Sequence, residues 1–140
     1  MPAIYHHQLQ VQPGEIDELD HANNAAYINW MQAAAIAHST AQGWPSERYW
    51  ESSYAWVARS HSIEYLQPVH QDEAVVVRTW VADMQRVTSL RRYEILRESA
   101  GAVLARAETR WAFINLKTRK PVRIPLEVQN DFVIVEEEKG

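Results

Sequence analysis

The densest group of chemically versatile side chains lies just before Tyr27, in the run Glu15-Ile16-Asp17-Glu18-Leu19-Asp20-His21-Ala22-Asn23-Asn24. Carboxylates, an imidazole and two carboxamides share one short segment. A carboxylate can act as nucleophile or base, and an imidazole can carry a proton. Residues with helical spacing follow at once, so the acids stand before a helix start, where free backbone N–H groups and the helix dipole favour negative charge. If that helix is buried, its N-terminus faces a low-dielectric pocket in which electrostatic stabilisation is large. The same placement has a structural reading, because acids complement a helix dipole and Asn is a favoured cap. The residues by themselves leave both readings open.

The element that would position this run extends from Asn23 to Ala41. Tyr27, Trp30, Met31, Ala34, Ala35 and His38 recur at i, i+3, i+4 and i+7 spacing. Ala25, Ala26, Ile28, Ala33, Ile36 and Ala37 fill the other faces, so a helix buried on most sides is expected. Asn23 or Asn24 can cap it and Gly43 can stop it. Around it the sequence reads as strands. Ile4 to Val11 comes first, and a polar stretch follows the helix from Pro45 to Ser53. Tyr54–Leu66, Ala74–Val81, Thr88–Glu98 and Val103–Leu116 are the later strands, the last two joined through Ser99-Ala100-Gly101. Asn115 to Lys120 reads as a turn and Leu126 to Asn130 as a short final helix. The expected class is α+β, a curved antiparallel sheet of about five strands wrapped around one long central helix. The far face of such a sheet would be uncovered and aromatic, which points to a homo-oligomer.

The chain has 140 residues, enough for one domain that buries roughly two thirds of its unfolded surface. Hydrophobic residues make up 46% and charged residues 23%, ordinary values for a globular protein. A net charge of −4 argues against a general nucleic-acid binder, which needs a basic footprint. The absence of cysteine excludes disulfides, thiolate nucleophiles and thiolate metal sites. No histidine spacing suits a metal, and His6-His7 is a neighbouring pair near the terminus. The N-terminus lacks a signal-peptide pattern, and no apolar run approaches the ~18 residues of a membrane span. A cytoplasmic protein without a membrane span is expected.

The pattern Asp17-x-x-Asp20-His21-Ala22-Asn23-Asn24-x-x-Tyr27-x-x-Trp30 resembles the signature of the hotdog-fold thioesterases of the 4-hydroxybenzoyl-CoA thioesterase family. The resemblance continues through Ile63 to Pro68, Asp72 and Val75-Val76-Val77, and closes on Asn115 to Pro121 and Ile124-Pro125. It implies a single hotdog domain over residues 1–140, with a core from about 4 to 130 and an acidic tail from 136 to 140. It further implies an acyl-CoA thioesterase in which Asp17 is the essential carboxylate, as nucleophile or as base for water. The Asn24 backbone N–H would bind the developing oxyanion, and His21 would hold the carboxylate or assist the leaving thiolate. The sequence departs from the signature at Asp20, where glycine is common, and at Gln32-Ala33, where an acid is often found.

Substrate-binding candidates are Asn23, Tyr27, Gln32, Arg59 and His61, of which Asn23 also serves as a cap and Tyr27 as core. Arg59 and His61 are one strand repeat apart and are expected on one face. Coenzyme A carries phosphates, so basic groups are needed to hold it. Arg86, Ser89, Arg91 and Arg92 form one candidate cluster, and Lys117, Arg119, Lys120 and Arg123 form another. Such residues also protect sheet edges. No cofactor is expected, because coenzyme A is part of the substrate. Competing readings are hydrolysis of an acyl chain held on an acyl carrier protein, hydration or dehydration on the same fold, and a non-catalytic acyl-CoA-binding module.

Overall fold

The computed structural model describes residues 3–136. Residues 137–140 of the expected acidic tail lie outside the described residues. The elements, in chain order, are β1 (Ile4–Gln10), a 3-10 turn (Pro13–Glu15), α1 (Asn24–Ala41), α2 (Ser46–Glu51), β2 (Tyr54–Tyr65), β3 (Ala74–Met84), β4 (Thr88–Arg97), β5 (Val103–Asn115) and α3 (Leu126–Asn130). The strands form one antiparallel sheet in the order β1-β3-β4-β5-β2. Register shifts between Val81 and Asp83, Ala58 and Ser60, and Ile95 and Leu96 mark bulges, which bend strands and increase their twist. The sheet is thereby curved, and α1 packs on one face of it.

Alternation decides what the sheet buries. Val75, Val77, Thr79 and Val81 of β3 and Ser89, Arg91, Tyr93 and Ile95 of β4 are all buried. Against them α1 presents Ala26, Tyr27, Trp30, Met31, Ala34, Ala35 and His38. A second cluster joins Trp44, Tyr49, Phe113, Ile124, Val128 and Phe132, so α2 and α3 close one end of the core.

Two expectations need correction. The helix expected to be buried on most sides is buried along one face, and Ile36 is 55% exposed on the other. Most of its outward apolar residues are alanines, whose small side chains make exposure cheap. The polar stretch Pro45–Ser53 contains α2, which starts from an extended Pro45 cap. At six residues it is too short to show a helical period.

Candidate active site

The segment ahead of α1 folds into a tight loop stitched by its own backbone. The Asp17 N–H donates to the His21 carbonyl at 2.8 Å, and the Asp20 N–H donates to the Asp17 carbonyl at 3.1 Å. The Asp17 carboxylate sits over this loop, where Oδ1 accepts from the N–H of Leu19 at 2.9 Å and of His21 at 3.2 Å. Both bonds use Oδ1, so Oδ2 has no partner among the described residues. Asp17 is exposed, and an incoming group can reach it.

Asp20 stands where the resemblance expects glycine, and its φ of 63° explains the preference. That left-handed backbone suits glycine, and Asp is among the few other residues that visit it. The Asp20 carbonyl accepts from His70 Nδ1 at 3.0 Å, which fixes the His70 tautomer. The His70 ring lies edge-on to His21, with centroids 5.3 Å apart. The Ala22 N–H donates to Val69 at 2.7 Å, so the loop is tied to the segment entering β3.

Asn23 caps α1 through Oδ1, which accepts the Ala26 N–H at 2.8 Å. The first helical N–H groups have no acceptor inside a helix, and those of Asn24 and Ala25 bond to nothing among the described residues. Asn24 is exposed and follows the loop directly in the chain. Glu15 was given no role by sequence, yet it braces the site. Its Oε2 accepts from Trp30 Nε1 at 2.8 Å and its Oε1 from the Gln12 N–H at 2.8 Å. Tyr27 is core, packed on Trp30 and Tyr65. Burial, and then the neighbouring Tyr65, Glu73 and Asp17, push its pKa up to about 12, which keeps the phenol neutral.

The other candidates are dispersed. Gln32 lines a cavity of about 320 Å³ between the later turns of α1, α2 and the sheet. His61 Nδ1 bonds Thr109 Oγ1 at 2.8 Å, whereas Arg59 is exposed at the bulge of β2. That bulge breaks the alternation that would have put the two on one face. Arg86, Arg119 and Lys120 are exposed on turns. The cluster of Arg86, Ser89 and Arg91 does not survive folding. Ser89 and Arg91 are buried on the core face of β4, with Ser89 Oγ donating to the Asp83 carbonyl at 2.8 Å. They are therefore unavailable to a nucleotide phosphate at the surface. Sequence also missed the aromatic wall of the cavity, where Trp44, Trp50, Trp56 and Trp111 converge from four elements and connections. Their separation along the chain left no local signal.

A model of the thioesterase-like superfamily matches residues 11–132. A palmitoyl-acyl carrier protein thioesterase of Cuphea hookeriana is 24% identical over 134 residues, covering 91% of this chain and 32% of that protein. The chain thus spans about a third of the length of the curated relatives it matches. Among solved structures, a DHNA-CoA thioesterase from Staphylococcus aureus superimposes with a TM-score of 0.81 at 22% identity, covering 86% of this chain and 80% of that one. An acyl-ACP thioesterase from Bacteroides thetaiotaomicron gives a TM-score of 0.86 at 26% identity, covering 96% of this chain and 55% of that one.

Proposed function

Since the chain belongs to the thioesterase-like superfamily of thioester hydrolases, we propose that it hydrolyses an acyl thioester of coenzyme A at the loop preceding α1, with Asp17 as the catalytic carboxylate. The observation that carries the reading is the pairing of an exposed, backbone-held carboxylate with unpaired N–H groups at the start of α1. The carbonyl oxygen accepts from the Asn24 N–H, which stabilises the charge that develops on it as the tetrahedral intermediate forms. Asp17 either attacks the carbonyl carbon itself or takes a proton from the attacking water. The thiolate leaves, and a proton returns to it. His21 lies within this loop and supplies a nearby imidazole for that transfer. No metal or cofactor takes part in this scheme. Arg119 and Lys120, on an exposed turn with Lys117 and Arg123 beside them, are suited to the coenzyme phosphates, as is Arg86. Asn23 acts as cap, Gln32 lines the cavity that would hold the acyl group, and a second copy of the chain completes the site.

A carrier-bound acyl group is the second reading, supported by the acyl carrier protein thioesterases among the relatives. It uses the same carboxylate and replaces the coenzyme contacts by docking of a carrier.

A thiol-release assay over acyl-CoA and acyl-carrier substrates, run on wild type and Asp17→Asn, tests both. The variant keeps the oxygen that accepts from Leu19 and His21, so the loop persists while turnover falls roughly 10²–10⁴-fold. Full activity in the variant, or wild type inert on every thioester, sinks the assignment. Turnover of carrier thioesters alone selects the second reading.

A further inference from the structure

Arg91 is a charged side chain only 6% exposed, inside the sheet's core face. Its Nη1 donates to His38 Nδ1 at 2.9 Å and to Thr79 Oγ1 at 3.1 Å, two neutral acceptors. No carboxylate pairs with it among the described residues. Of the four acids on the strands, Glu94 pairs with Arg78, Glu108 with Arg92 and Asp83 with Arg110, and the fourth, Glu64, is exposed. Burial is also the main cause that lowers its pKa, with only the Tyr93 and Tyr49 phenols opposing. A guanidinium removed from water without a counter-charge is held at a cost that an anionic partner would offset.

The same residue lines the cavity of about 320 Å³. Most of the rest of its wall is apolar and aromatic, led by Trp44, Tyr49, Trp50, Trp56, Trp111 and Phe132, and the other polar lining residues, Gln32, Ser39, Ser46 and Ser89, carry no charge. Trp111 adds a buried indole N–H that reaches no acceptor in hydrogen-bond geometry. A cavity of this size suits a small-molecule group, and its chemistry is uneven. Along the aromatic wall it favours hydrocarbon. Beside Arg91, an all-hydrocarbon occupant would leave the buried guanidinium without an anionic partner. A carboxylate at that point would instead receive charge-assisted hydrogen bonds.

We propose that this cavity is the acyl pocket, and that it selects acyl groups that are apolar along their length and end in a carboxylate, which Arg91 binds. The proposal rests on the thioesterase reading above. Gln32, where α1 first meets the cavity, lies eight residues beyond Asn24, roughly 12 Å along the helix axis. The preferred substrates are therefore thioesters of medium-length dicarboxylic acids rather than short ones.

Thiol release is compared between the mono-CoA thioesters of adipic, suberic and dodecanedioic acid and their monocarboxylic counterparts, hexanoyl-, octanoyl- and lauroyl-CoA. Wild type is expected to favour the dicarboxylic member by at least about tenfold in kcat/KM at its best length, because leaving a buried donor unpaired is what discriminates an analogue. Arg91→Met removes that preference mainly through KM, and Arg91→Lys restores part of it. Tryptophan fluorescence of the intact wild-type protein, titrated with free suberate or dodecanedioate against the corresponding diols, gives a readout independent of turnover and of variant folding. Saturable change with the diacids alone supports the proposal. Equal turnover of the two series, or a preference for the monocarboxylic series, overturns it while the thioesterase reading stands. A preference retained in a folded Arg91→Met protein overturns it as well. If no thioester is turned over the thioesterase reading fails, and the titration alone then decides whether Arg91 binds a carboxylate. No response to either diacid counts against it.

Discussion

At position 24 the chemistry belongs to the backbone N–H, which ordinary substitutions leave in place. Proline removes it. Asn24 is the first helical residue, a position that tolerates proline, and Asn23 before it is already extended at ψ 163°, as a pre-proline residue must be. Asn24→Pro should therefore fold with a Tm near wild type. Its kcat should fall about 10²–10³-fold, the usual loss on deleting one oxyanion donor. Asn24→Ala, which keeps the N–H, should retain most activity. An equal loss in both variants would move the role from the backbone to the side chain. Position 20 carries the opposite kind of residue, one whose backbone is the difficulty. Asp20→Gly relieves a left-handed φ of 63°, an effect of up to about 1 kcal/mol, offset in part by the entropy of glycine. A Tm unchanged or a few degrees higher, with turnover preserved, is the expected result. Thermal melts and the thiol-release assay check it together.

Strand ends show how elements fix the loop that carries Asp17. Arg97, at the end of β4, donates through Nε to Glu73 at 2.7 Å, just before β3 begins. Its Nη2 also reaches the Pro68 carbonyl at 3.3 Å, beside the segment to which the Asp17 loop is tied. The bond from Arg97 is the largest cause holding the Glu73 carboxyl below its ordinary value of 4.5. As pH falls the unfolded chain then takes up its proton first, so this stabilisation is present above 4.5 and is lost as pH drops toward the folded value. Wild type should out-melt Glu73→Gln at neutral pH, with the gap closing as the buffer is taken below 4.5. A constant gap would mean the pair acts by shape instead of charge. The strands and α1 were legible in the sequence because their periods of 2 and 3.6 run long enough to count. The bulges were not, since an extra residue such as Arg59 leaves no mark until a partner strand fails to match it. Arg91 was misread for a different reason. Its alternation with Leu90 and Arg92 allowed an inward side chain, but a charged residue was assigned to the surface where such residues almost always lie. The Asp17 loop was legible because its chemistry is contiguous, whereas the cavity wall is assembled from residues as distant as Trp44 and Trp111.

For the whole molecule, the outward side of α1 sets a condition on function. The helix runs 18 residues without a single Asp, Glu, Lys or Arg, and its exposed stripe comprises Ala25, Asn29, Ala33, Ile36 and Thr40. A solvent-facing helix side normally carries charge. Trp50 adds a further exposed apolar surface at 57%, and β2 leaves the sheet with a 12-residue edge strand on the same chain. Edges of that length are usually shortened, charged or covered. Meanwhile Asp17 and Asn24 are exposed residues, and water weakens the electrostatic effect on which the proposed oxyanion site depends. A second copy of the chain packed over α1 would remedy both, and an isologous interface needs only this one surface. Ala33 is exposed and touches no catalytic group, so Ala33→Arg should leave the monomer fold and its circular dichroism intact. It should shift sedimentation from dimer or larger to monomer and reduce thiol release at least about tenfold, in keeping with a donor returned to water. Wild-type specific activity should fall likewise on dilution, once the chains separate. A monomeric wild type with undiminished activity at every dilution would show that one chain suffices, and the uncharged face of α1 would then need another occupant.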